Sequence, residues 1–160
     1  MNPSCELNWK PFTIGDRETC LRNVGQARLD ESVAMCDGLG AFLPIPRNEQ
    51  ENRDLYAAIQ SGELGQLEHV ALDATDAVNE GVWVDSTGNT LNYFNWGTGQ
   101  PDNANGVEHY LHYTVNLETW NDNVDGFIAD VVCWKPEING EFCEKLTFSS
   151  VFPAPIDLLN

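Results

Sequence analysis

Residues 97–107 read GTGQPDNANGV, almost without a helix or strand former, yet the residues on either side are rich in β-branched and aromatic side chains. Loops this long inside a compact domain are usually functional. Any fold for this chain must therefore hold an irregular loop against strands and give it something to bind. Oxygen-bearing side chains crowd that loop and the region just after it. Gln100-Pro101-Asp102-Asn103 is followed by Glu108, and Trp120-Asn121-Asp122 lies farther along.

Hard cations such as Ca²⁺ take six to eight oxygens from carboxylates, amide carbonyls, backbone and water. Here Asp102, Glu108 and Asp122 would supply charge, and Gln100 and Asn121 neutral carbonyls. Either tripeptide alone would read as a turn, since Pro, Asp and Asn are turn formers. Both together, with Glu108 between, read as a metal site. An X-Pro bond can be cis at modest cost, and a cis bond turns neighbouring side chains toward one point. A cis Gln100–Pro101 bond is expected.

Two helices precede this region. Asp30 is an N-cap candidate for the first, Val33, Ala34 and Cys36 form its apolar stripe, and Gly38 and Gly40 end it. The second starts at Asn48, with Glu51 at capping-box spacing, and runs through Leu55, Ala58 and Ile59 to Gly62. Between them, Pro44 and Pro46 flank an extended segment, 41–45. Residues 5–29, with Trp9, Phe12 and two cysteines, read as a hairpin or loop. Strands are expected at 69–72, 82–84, 91–94, 110–117 and 127–134. The order, helices first and strands after, indicates an α+β domain with two helices flanking a mostly antiparallel sheet.

Charge narrows the partners. With 8 Lys+Arg against 25 Asp+Glu the net charge is −17, which repels phosphate backbones and anionic leaflets. Nucleic acid is excluded as a partner, and no run is apolar and long enough for membrane insertion. Nor does any resemble a signal-peptide core, so a secreted form would have lost its leader. The five cysteines (Cys5, Cys20, Cys36, Cys133, Cys143) show no zinc spacing and suggest disulfides in a secreted, extracellular protein, with one thiol left over.

These residues together resemble the C-type lectin-like domain. The likeness runs from Ala34-Met35-Cys36 and Gly40-Ala41-Phe42-Leu43 through Val70-Ala71-Leu72, Asn95-Trp96 and Gln100-Pro101-Asp102 to Trp120-Asn121-Asp122 and Cys133. It implies a carbohydrate-recognition domain over 1–145 with an N-terminal hairpin; beyond it, residues 146–160, with Pro153 and Pro155, read as an extended tail. It also implies a principal Ca²⁺ held by Gln100, Asp102, Glu108, Asn121 and Asp122, to which two adjacent sugar hydroxyls bond directly. The Gln-Pro-Asp order is similar to the galactose/GalNAc branch. The stacking Trp of that branch is replaced by Ala104, leaving His109, Tyr110 or His112 as substitutes.

Asp76 and Glu80, with Asn103 and Glu108, match an auxiliary Ca²⁺ site, and His109 stands where the family often has a carboxylate. Two disulfides are implied, Cys5–Cys20 and Cys36–Cys133, with Cys36–Cys143 as a rival. The family's long-loop bridge has no counterpart, and the leftover cysteine could join two chains in a homo-oligomer. Glycans are the expected partners. An enzyme is disfavoured, because no nucleophile sits in a recognisable elbow. The alternative is a domain of the same fold that binds a protein, mineral or ice surface.

Overall fold

The structure, a computed structural model, describes residues 5–136. The expected tail and the Cys143 alternative lie outside those residues. Strand β1 (Lys10–Ile14) turns at Gly15-Asp16 into the long β2 (Arg17–Arg28), which passes directly into helix α1 (Leu29–Asp37). Helix α2 (Glu49–Gln60), β3 (His69–Thr75), β4 (Tyr110–Thr114), β5 (Thr119–Asn123) and β6 (Ile128–Pro136) follow. One six-stranded sheet results, ordered β1-β2-β6-β3-β4-β5. Its pairings are antiparallel except β3 with β6, which run parallel through Val70 and Asp130. The sheet is therefore mixed, and the two helices complete the expected α+β architecture.

Period-two alternation buries the central strands on both faces. Val70, Leu72 and Val132 pack with Leu55, Ile59, Leu111, Tyr113 and Trp120 on one side. Ala71, Val131 and Cys133 pack with Leu29, Cys36 and Trp9 on the other. The Cys36–Cys133 bridge ties α1 to β6, and Cys5–Cys20 ties the N-terminal segment to β2. Both are the pairings the resemblance implied.

Several elements differ from expectation. Asp30 is not the N-cap of α1. Arg28 occupies that position without a side-chain cap bond, and the Leu29 and Asp30 amides donate to the carbonyls of Phe127 and Asp125. The chain arrives from β2 already beside the 125–127 segment, which satisfies the helix start, and Asp30 pairs with Arg28 instead. Gly40 closes α1 with φ +61°, a conformation glycine takes without a Cβ penalty.

In α2, Asn48 caps the Glu51 amide as expected, while the Glu51 carboxylate reaches one residue further back, to the Arg47 amide. Residues 82–84 and 91–94 form no ladder strand. Val84 makes only isolated bridges, to Thr75 and Thr90. Their aromatic side chains still pack, with Trp83 buried and Tyr93, Phe94 and Trp96 around Trp120. Strand-type composition reflects such burial as much as backbone pairing.

The expected strand 110–117 stops at Thr114 and tightens into a 3₁₀ turn, Val115–Leu117. Glu118, at φ 57°, then reverses the chain into β5. Trp120, Asn121 and Asp122 consequently lie on a strand, not in a turn. Trp120 is fully buried, and its indole N–H donates to Asn52 of α2 at 3.0 Å.

Candidate metal centre

Strand β5 sets the site, because alternate residues face opposite sides of the sheet. Trp120 and Asp122 are buried, and Asn121 between them is half-buried, paired across the ladder with His112. Asp122, only 1% exposed, projects toward the loop and accepts the Asp102 amide at 3.2 Å and the Asn103 amide at 2.7 Å. One carboxylate thus holds the loop to the sheet. Gly97 seats the start of the loop against β5, donating its amide to the Trp120 carbonyl. A Cβ there would meet the Thr119 hydroxyl at 3.0 Å.

Within the loop the Gln100–Pro101 bond is cis, as expected from the sequence. Asn103 and Asn105 take left-handed conformations, with φ 40° and 59°, which asparagine tolerates better than most residues. Gln100 Oε1 accepts the Asp102 amide, Glu108 accepts the Ala104 amide, and Asn103 Oδ1 accepts the Glu108 amide. These bonds turn the loop back on itself.

Carboxylate oxygens of Asp102, Glu108 and Asp122 come within 4.8 Å of one another. Burial raises the Glu108 carboxyl above the usual carboxylate range, and the neighbouring Asp102 and Asp122 charges add to it, while the Ala104 amide only partly opposes them. Three acids held together, none of them in an ion pair with Lys or Arg, could hold a cation. Their donors are all oxygen, which suits Ca²⁺ and disfavours softer ions.

A second cluster gathers Asp76, Glu80 and His109. His109 Nδ1 lies 3.1 Å from Asp76 Oδ1 and 3.5 Å from Glu80 Oε2, and Asp76 also accepts the Gly81 amide. Asn103 and Glu108, assigned by resemblance to this group, are engaged with each other in the long loop. Of the residues considered for sugar contact, His109 faces these two acids, and Tyr110 packs against the core cluster beneath α1.

His112 is buried on β4 directly opposite Asn121. Burial, reinforced by nearby His69, lowers its pKa to about 4, so the imidazole is neutral at physiological pH. Sequence reasoning did not bring His69 and Phe127 together with it. They come from three separate segments and meet only through strand register. A separate concavity of 250 Å³ is lined by Arg17, Phe42, Arg47 and Trp134 among others. Its guanidiniums are committed to Glu51 and Asp85 within the chain.

Comparison with known proteins places these features in a family. A family model described as "Lectin C-type domain" matches residues 25–135. Perlucin of Haliotis laevigata is 34% identical over 110 residues, covering 68% of this chain and 70% of that protein. Among solved structures, the mouse scavenger receptor C-type lectin carbohydrate-recognition domain superposes with a TM-score of 0.70 at 23% identity. It covers 84% of this chain and 99% of its own. The C-type lectin CEL-I from Cucumaria echinata gives 0.67 at 22% identity, covering 82% and 96%. A calcium-independent type II antifreeze protein gives 0.69 at 16%, covering 86% and 98%. At these identities the structural likenesses establish the fold.

Proposed function

The chain belongs to the C-type lectin domain family, and from that premise we propose that it binds glycans through a Ca²⁺ held by Gln100, Asp102, Glu108, Asn121 and Asp122. The convergence of three carboxylates on one loop, anchored by Asp122 to the sheet, carries this reading. Bound there, Ca²⁺ would supply open coordination positions for two adjacent hydroxyls of a sugar. The residues that hold it also offer acceptors and an amide donor to those hydroxyls, a combination that lets a diol compete with water.

Gln100 ahead of Asp102 places the amide on the side that favours galactose or GalNAc. Asp76, Glu80 and His109 form a weaker auxiliary cation site, since imidazole nitrogen is a poor partner for a hard ion. The two disulfides are the basis for proposing a secreted, extracellular protein, and among the described residues no helix is long and apolar enough to cross a membrane. Cys143, the fifth cysteine, is proposed as a link between two copies, because clustering raises the avidity of weak sites.

A glycan array probed with and without Ca²⁺ tests the central reading. The expected result is galactose-type binding that chelation abolishes. Binding that survives chelation, or no glycan bound at all, overturns it. The second outcome would favour a surface-binding role, toward a protein, mineral or ice, which the structural likeness to an antifreeze protein keeps in view.

A further inference from the structure

The concavity between the β1–β2 hairpin, the 42–47 segment and the start of α2 takes none of its lining from the two acidic clusters. Buried Ile14, Leu21, Leu43 and Leu55 make it apolar inside. Phe42 and Trp134 stand at its edge with ring centroids 5.5 Å apart, and Phe42 is 48% exposed. At about 250 Å³ the space falls below the roughly 300–1,000 Å³ of small-molecule sites. It has room for one long side chain and little more.

Charge decides which side chain. The two guanidiniums on its wall are already paired, Arg17 with Glu51 and Arg47 with Asp85. Asp73 of β3 is left over. It lines the same space, is 7% exposed, and accepts the amide and the hydroxyl of Ser86. Among the described residues no Lys, Arg or His forms an ion pair with it. A carboxylate offers about four lone-pair positions, so capacity remains on both of its oxygens. A buried charge without a counter-ion is costly, and burial raises the Asp73 pKa, which the Ser86 donors only partly offset.

The surroundings are acidic as well. The segments that supply Arg17 and Glu51 also carry Asp16, Glu18 and Asp54, none of them in an ion pair among the described residues. An anionic occupant is repelled, and a neutral one leaves Asp73 uncompensated. Lysine and arginine have the remaining combination, an apolar stem with a cation at its tip. The stem fits the aliphatic walls, and the head gains a charge-assisted bond at Asp73. An aromatic face also attracts a passing cation, as the Trp134 ring already does with the Arg17 guanidinium 5.2 Å from its centroid.

We propose that this cleft docks a basic partner protein, which inserts one lysine or arginine side chain past Phe42 to the carboxylate of Asp73. Such docking needs neither Ca²⁺ nor glycan, and it gives part of the −17 charge a use that metal binding does not.

Calorimetry at about 150 mM NaCl, where attraction between distant exposed charges is largely screened, tests it with a short oligolysine peptide and its Nε-acetylated counterpart. The full chain should bind oligolysine and not the acetylated form. Asp73→Asn should weaken that binding at least about tenfold. Phe42→Ala, which changes no charge at an already exposed position, should weaken it about threefold. Glu31→Gln, which removes one exposed charge from α1, should leave it within about twofold. If Asp73→Asn does not fold, Phe42→Ala decides alone. Oligolysine that fails to bind, or that binds equally well once acetylated, overturns the proposal. So does equal weakening by Asp73→Asn and Glu31→Gln with no effect of Phe42→Ala, the pattern of unspecific attraction to an acidic surface.

Discussion

At the scale of single residues, Glu108 separates the demands of the fold from those of the metal. Burial raises its pKa, and the neighbouring Asp102 and Asp122 charges raise it further. Glu108→Gln relieves that repulsion and removes a proposed ligand. The chelated variant should melt no lower than the native protein, while Ca²⁺ affinity by calorimetry falls at least tenfold. A lower melting temperature in chelator would show instead that Glu108 is needed for loop packing. His109 poses the complementary case, a nitrogen placed against Asp76 and Glu80. His109→Asp replaces it with the oxygen a hard ion prefers. Calcium stoichiometry at equal free Ca²⁺ should rise from near one toward two, and a stoichiometry unchanged by the substitution would count against an auxiliary cation site.

At the scale of elements, the segment between β3 and the long loop is held by polar bonds more than by a ladder. Asp85 is its centre. It accepts from the Thr87 and Asn89 amides and the Thr87 hydroxyl, and it pairs with Arg47 ahead of α2. Burial pushes its carboxyl upward, but these donors outweigh burial and hold it well below the usual carboxylate range. A folded pKa below the unfolded one makes this stabilisation present above about pH 4 and lost as pH falls below it. Unfolding free energy measured against pH should therefore drop below about pH 4. In Asp85→Ala that drop should shrink, and stability near pH 7 should fall by about 3 kcal/mol. Equal acid sensitivity in the variant would refute the assignment.

The same segment shows what a reader of the sequence could and could not see. Helix α2 was legible because Asn48 and Glu51 carry cap chemistry within four residues. The gathering of loop oxygens was legible because Gln100, Asp102 and Glu108 are close in sequence and follow a family pattern. Residues 82–84 and 91–94 read as strands because Trp83, Leu91 and Phe94 signal burial, whereas backbone pairing depends on what lies alongside. Strand β5 was missed for the converse reason, since asparagine and aspartate disguise a strand whose pairing with β4 comes from register. The cluster of His69, His112 and Phe127 leaves no local signal at all.

At the scale of the whole molecule, the charge of −17 has two parts. Five of the 25 acids, Asp76, Glu80, Asp102, Glu108 and Asp122, are proposed ligands, and two bound Ca²⁺ would bring the total only to −13. The remainder acts through self-repulsion, which weakens a compact state and is screened by salt. Metal binding and screening should therefore stabilise the fold by separable routes. At Ca²⁺ one hundred times its Kd, linkage supplies about 2.7 kcal/mol, or roughly 5–10 °C for a domain of this size. No cysteine lies within this loop, so its order leans on Asp122 and, on the proposed reading, on the cation. Chelation should lower the melting temperature by that amount. Raising NaCl from about 10 mM to 500 mM should then recover part of the loss without restoring glycan binding. If salt recovers nothing, self-repulsion contributes little to the melting temperature and the acidic excess serves a partner instead of acting on the fold. If chelation itself leaves the melting temperature unchanged, the loop does not depend on a cation and the calcium site fails with it.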